Sequence, residues 1–204
     1  MFTTSNILGL LATMTAAAIS PLQLIALLRA SDRRVVAKSM SVATVLLLCV
    51  CNTCWFIYGI LHGALWSAVL AAITIIVEMS FFMLCWRVDR VHGSTVLGTV
   101  VVLVCVGYIA CHVPAEVLGG AAAAMSMANY VPAMVHRLRG VHERTQQQSV
   151  YSVPMGLTMM TTNVLWVAYA VTIQDIWVGI PCVVNFIAGV VFVVTGLRQR
   201  RAVL

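Results

Sequence analysis

Charge is what this sequence has least of. Only 9% of its 204 residues are Asp, Glu, Lys or Arg, where a soluble protein carries about a quarter. Twelve basic and six acidic side chains are too few to cover the surface of a water-soluble fold of this length. A cytosolic enzyme, a secreted disulfide scaffold and a disordered chain are therefore excluded. Hydrophobic residues make up 62% and the mean hydropathy is +1.01, which places the chain in a bilayer.

Catalytic groupings are also missing. No nucleophile has a base beside it, no glycine loop suits a phosphate, and no two carboxylates pair, so no enzyme is expected. The seven cysteines are odd in number; Cys51 and Cys54 form a C-x-x-C without a second pair or a histidine cluster, so neither a metal nor a cofactor is expected. The cysteines read as small packing residues. The net charge of +6 would suit nucleic acid only on the basic face of a soluble fold, and its distribution has another meaning.

That meaning emerges from seven apolar runs, at about 6–28, 41–62, 64–86, 94–113, 117–137, 152–173 and 176–197, each near the roughly 20 residues that span a bilayer. All twelve Lys and Arg fall in 29–39, 87–93, 137–149 and the tail after Leu197, while 62–63, 112–116 and 174–175 have none. The positive-inside rule then puts the amino terminus outside and the carboxyl terminus in the cytoplasm, of the plasma membrane in the simplest case. The first run has no Lys or Arg before it and reads as an uncleaved helix rather than a signal peptide.

The chain also repeats itself. At an offset of 111 residues Gly9 meets Gly120, Pro21 meets Pro132, Trp66 meets Trp177 and Phe81 meets Phe192. The motif N-x-x-W-x-x-Y occurs twice, as Asn52, Trp55, Tyr58 and as Asn163, Trp166, Tyr169. Three spans reverse the chain, so two copies run parallel only if one span separates them, and the run at 94–113 supplies it. The expected architecture is an all-α membrane protein of seven helices, 3+1+3: a first repeat over 1–92, a linker helix over 93–114 and a second repeat over 115–204.

Polar residues within the spans mark where a ligand would sit. Asn52, Thr74, Asn163 and Asn185 lie within about two residues of the midpoints of their runs, and Thr74 and Asn185 are themselves repeat mates. Transporters with internal repeats place their sites at this depth. Amides and hydroxyls beside the flat rings of Trp55 and Trp166 suit a sugar; the alternative is plain hydrogen bonding between helices. Asn129, unpaired across the repeat, reads as packing. Pro21, Pro132 and Pro154 fall in the cytoplasmic halves of their helices, where each permits a bend. Glu78 is the sole carboxylate well inside a run. It permits proton coupling, although its mate is Gly189 and no second acid completes a relay.

In order and spacing these residues resemble the SWEET sugar facilitators, relatives of the SemiSWEET and PQ-loop proteins. The carriers of the likeness are Ser20-Pro21, Ser41, Trp55-x-x-Tyr58-Gly59, Glu78, Pro132, Ser152-Val153-Pro154, Trp166-x-x-Tyr169, Asp175 and Pro181. The resemblance implies passive transport of a small neutral sugar or polyol by alternating access. It also implies that the prolines form a cytoplasmic hinge, with Ala43 in place of a fourth, and that Tyr58 and Asp175 belong to an extracellular gate. The family's two pocket asparagines map to Cys182 and to its mate Ala71. A same-fold carrier of another metabolite, such as an amino acid, accounts for those two residues more easily. A PQ-loop-type receptor or scaffold is a further reading. The expected partners are a small-molecule substrate and the lipid bilayer, with no nucleic acid. One chain holds both repeats, and a homo-oligomer is left open.

Overall fold

In lipid, backbone N–H and C=O groups must be satisfied within the protein, which favours helices for isolated apolar runs. A computed structural model describes residues 3–29, 42–89, 93–139 and 153–201. They form seven helices: α1 (Thr4–Arg29), α2 (Val42–Leu61), α3 (Leu65–Asp89), α4 (Gly93–Ala110), α5 (Ala115–Arg139), α6 (Val153–Ile173) and α7 (Ile176–Arg201). Every apolar run of the sequence is one helix, and no strand occurs among the described residues. The helices hold 18 to 26 residues, about 27 to 39 Å at roughly 1.5 Å per residue, against a hydrocarbon core of about 30 Å. Gly156–Ile173 and Ile176–Leu197 are long and apolar enough to cross a membrane by themselves; Thr4–Ala18, Leu46–Leu61, Leu65–Ser80 and Gly98–Ala110 are shorter apolar stretches. Apolar side chains also face outward: Ile76 is 67% exposed and Val171 70%. Such a surface invites aggregation in water but is compatible with acyl chains. The basic loops at 30–41 and 140–152 lie outside the described residues.

The chain forms two compact units, Ser20–Met125, and Met1–Ile19 with Ser126–Leu204. In the first, α2 packs along α3 and also against α4. Cys49 and Phe82, both buried, form an apolar cluster with Met79 and Leu103, and the Cys51 thiol donates to the carbonyl oxygen of Ala122 at 3.6 Å. Near the α2–α3 turn the two backbones nearly touch. A Cβ on Gly59 would lie 2.7 Å from the Ala68 nitrogen and 2.9 Å from the Ala64 oxygen.

In the second unit α6 and α7 pair in the same manner, with the small residues rearranged. The repeat mates of Gly59 and Ala68 are Ala170 and Gly179, so glycine has changed sides, and a Cβ on Gly179 would stand 3.4 Å from that of Ala170. Toward the other end of the pair, Gly156 and Gly189 let the helices close together. A Cβ on Gly156 would meet the Gly189 oxygen at 3.0 Å, and one on Gly189 would meet Met160 Cγ at 2.9 Å.

The α2–α3 and α6–α7 turns carry the repeat into the backbone. Gly63 has φ of 74° and its mate Gln174 has φ of 55°, both in the left-handed region that disfavours side chains. Gln174→Gly should therefore stabilise the protein by about 1 kcal/mol, read as a higher melting temperature in detergent. The next residue differs in chemistry. Asp175 Oδ1 accepts hydrogen bonds from the backbone nitrogens of Trp177 at 3.0 Å and Val178 at 3.2 Å, capping α7, where α3 has Ala64. Asp175→Ala should cost about 1 kcal/mol through loss of that cap, and Asp175→Asn, which preserves the acceptor, should retain most of it.

Candidate functional site

The two N-x-x-W-x-x-Y motifs adopt one local geometry. Trp55 and Tyr58 meet edge to face at 5.6 Å and 81°, and Trp166 and Tyr169 at 5.5 Å and 80°. In both, the asparagine one turn earlier donates its Nδ2 to a carbonyl of its own helix: Asn52 to Leu48 at 3.0 Å and Asn163 to Met159 at 2.7 Å. Helical side chains slant toward the amino terminus, which brings each amide over the preceding turn. A repeat visible as letters is thus a repeat in ring and amide placement.

Beyond that local frame the repeats differ. Asn52 uses its second amide proton on Glu78 Oε1, at 2.9 Å, and Thr74 Oγ1 donates to the Leu70 oxygen at 2.8 Å. Asn52 therefore has only its Oδ1 left for a ligand, and it is tied to the acid in α3. In the sequence, 26 residues part Asn52 from Glu78. They meet because α2 and α3 run antiparallel and both side chains slant toward their own helix starts, which lets them span the offset in depth.

The second unit has unused capacity instead. Asn129 Oδ1, Thr162 Oγ1 and Asn185 Oδ1 are buried and have no hydrogen-bond partner. Asn163, 7% exposed, and Trp166, 6% exposed, belong to the same unit. All five lie near the middle of their helices: Asn163 is the central residue of α6, and Asn129 and Asn185 are within about four residues of the centres of α5 and α7. An unpaired buried polar atom costs about 1 to 3 kcal/mol. Three in one unit are acceptors waiting for donors, and hydroxyl groups of a solute fit that need. Asn129, read from the sequence as packing, and Thr162, not singled out there, thus join the candidate set.

The remaining expected residues fall as follows. Cys182 is buried and donates its thiol to the Val178 oxygen at 3.1 Å; it follows Pro181, which lies inside α7. Ala71 is 2% exposed. Tyr58 is fully buried, with the His62 ring stacked on it at 5.2 Å, so it packs within the protein rather than anchoring in headgroups. The ring that suits an interface is Tyr108, which is exposed and lies against His112 at 4.4 Å. Asp175 is buried in its capping role. Of the three prolines, Pro154 stands in the first described turn of α6 and its carbonyl accepts from Thr158 Oγ1; the side chains of Pro21 and Pro132 lie outside the described residues.

Glu78 remains. It is 8% exposed, its Oε1 accepts from Asn52, and its Oε2 is buried without a partner. An ionised group at the centre of a span costs about 3 kcal/mol on insertion scales, and here it has the Asn52 amide and, beside it, only the weakly donating Cys49 thiol. The second unit has Gly189 at the matching position.

No family profile and no curated protein sequence matches the chain. As a structure it does have a counterpart, a solved eukaryotic SWEET transporter. The two agree with a TM-score of 0.76 over 98% of this chain and 100% of that one, with 12% of residues identical. That neighbour is a transporter and not an enzyme. At so low an identity the agreement is one of backbone path and not of side chains, and on that ground this chain has the fold of a SWEET transporter.

Proposed function

We propose that the protein carries a small neutral sugar or polyol across a membrane, down the solute's own gradient, by alternating access. Its two three-helix repeats, 1–92 and 115–204, would be the moving bodies, with 93–114 as the link between them. The observation that carries this reading is the set of buried, unpartnered oxygens at Asn129, Thr162 and Asn185 in the unit that also holds Asn163 and Trp166. Carbonyl oxygens accept hydrogen bonds, hydroxyl groups donate them, and an indole face receives the C–H side of a sugar ring. On the first repeat Asn52, Trp55 and Thr74 stand at the matching repeat positions and would serve that repeat's part in binding.

Uptake of a labelled panel of sugars, polyols and amino acids into proteoliposomes is the test. Equilibrating uptake of a sugar or polyol, saturable and competed by its relatives, is the expected result. One observation favours a second reading: Cys182 and Ala71 are buried and offer no amide, which suits a metabolite other than a sugar, such as an amino acid. Uptake of amino acids and of no sugar would establish that reading instead. The orientation expected from the basic loops, with the amino terminus outside and the carboxyl terminus in the plasma-membrane cytoplasm, would be overturned by an impermeant probe labelling the tail after Leu197 from outside intact cells.

A further inference from the structure

The first repeat contains a buried acid that the transport reading does not use. Glu78 lies in the seam between α2 and α3. Its Oε1 receives the Asn52 amide at 2.9 Å, while Oε2 is buried with no partner. Asn52 cannot serve the second oxygen, because its other amide proton is committed to Leu48. The side chains nearby are apolar or weakly polar. Cys49 neighbours the carboxyl from α2 and directs its thiol to Met79 Sδ at 3.8 Å, with Phe82 and, from α4, Leu103 completing the cluster. Among the described side chains of the neighbouring elements, Cys51 and Cys54 of α2 are buried thiols. Cys105 and Tyr108 of α4 are exposed, and Glu116 of α5 is exposed in the first turn of that helix.

From this geometry we infer that Glu78 is a proton-binding site, the proton residing on Oε2, and that its occupancy gates transport. With the proton in place the carboxyl is neutral and Oε1 retains the Asn52 bond. Without it, a charged Oε2 has at hand only the weakly donating Cys49 thiol, and must draw water into a seam lined by Cys49, Met79, Phe82 and Leu103. A hydrated seam separates α2 from α3, and the first repeat no longer moves as one body. The second repeat has no such response: at the matching place Gly189 packs against Gly156 and Met160, and nothing there takes up a proton. Gating would thus act on one repeat only, with transport falling as pH rises. The proton opens or closes the carrier and need not travel with the solute.

The gating half of this inference rests on the transport reading; the proton site does not. The site is tested in the purified full-length protein with dicyclohexylcarbodiimide, an apolar reagent that attacks protonated carboxyls. Mass spectrometry should find the adduct on Glu78, with labelling that declines as pH is raised and is absent in Glu78→Gln. Labelling that ignores pH, or none at low pH, overturns the site whatever the substrate proves to be. Gating is tested by uptake with equal pH on both sides of the vesicle. The wild type should slow by on the order of tenfold per pH unit above the titration midpoint, and Glu78→Gln, which mimics the neutral acid, should hold the low-pH rate throughout. Matching pH profiles in the two proteins overturn gating, as does solute accumulation driven by a pH gradient alone. Should Glu78→Gln not fold, the wild-type labelling curve and the wild-type rate must share a midpoint, and differing midpoints overturn the link.

Discussion

Gly59→Ala is expected to loosen the α2–α3 hairpin enough to halt function, although alanine is the better helix former. In a helix interior the exchange is worth about 1 kcal/mol in alanine's favour. Here the added methyl meets backbone atoms, 2.7 Å from the Ala68 nitrogen and 2.9 Å from the Ala64 oxygen. Backbone cannot turn aside as a side-chain tip can. Overpacking of this kind costs about 3 kcal/mol, leaving a net loss of about 2 kcal/mol. Gly98→Ala in α4 is the matched control: nothing lies within 4 Å of its Cβ, so it should gain stability by up to about 1 kcal/mol. Thermal unfolding of both variants in detergent decides the matter. The two shifts should have opposite signs, and an unchanged Gly59→Ala protein would refute the close approach.

Thr162→Val should stabilise the empty protein while weakening its hold on substrate. Valine has nearly the shape of threonine and removes a buried hydroxyl that has no partner, so the folded state gains about 1 to 3 kcal/mol. If that hydroxyl serves the solute, affinity falls by a similar free energy, about 5- to 150-fold. Asn163→Leu should show the same loss of affinity with little change in stability, since its one described bond is to Met159 in its own helix. Binding titrations on correctly inserted, monodisperse protein provide the comparison. A residue that merely packs would move stability and affinity down together, and that outcome for both variants would remove the midplane site from the second unit.

The helices were legible because apolar length is a crude and robust signal, and the offset of 111 because paired Asn, Trp and Tyr seldom coincide by chance. Both survive as geometry, in the ring pairs of Trp55 with Tyr58 and Trp166 with Tyr169. What the letters hide is which polar atoms are already occupied. Thr74 and Thr195 bond back to carbonyls four residues earlier, the usual habit of threonine in a helix. Thr162 does not, and nothing in residue type separates it from the others. Likewise Asn52 and Asn163 look equivalent in the motif, yet one is bound to an acid whose counterpart is a glycine. Depth follows from counting residues; partnership depends on where side chains point.

The paired α2–α3 and α6–α7 turns have one more implication. Gly63 and Gln174 share a left-handed backbone though only one of them is suited to it. If the turn residue set the conformation, the glutamine would have relaxed into an ordinary turn. It has not, so the helices on either side dictate the loop, and the side chain at its tip conforms. Such loops are forgiving places for a protein engineer: a fluorescent label or an affinity tag placed at Gly63 or Gln174 would sit on a corner whose shape is imposed from below.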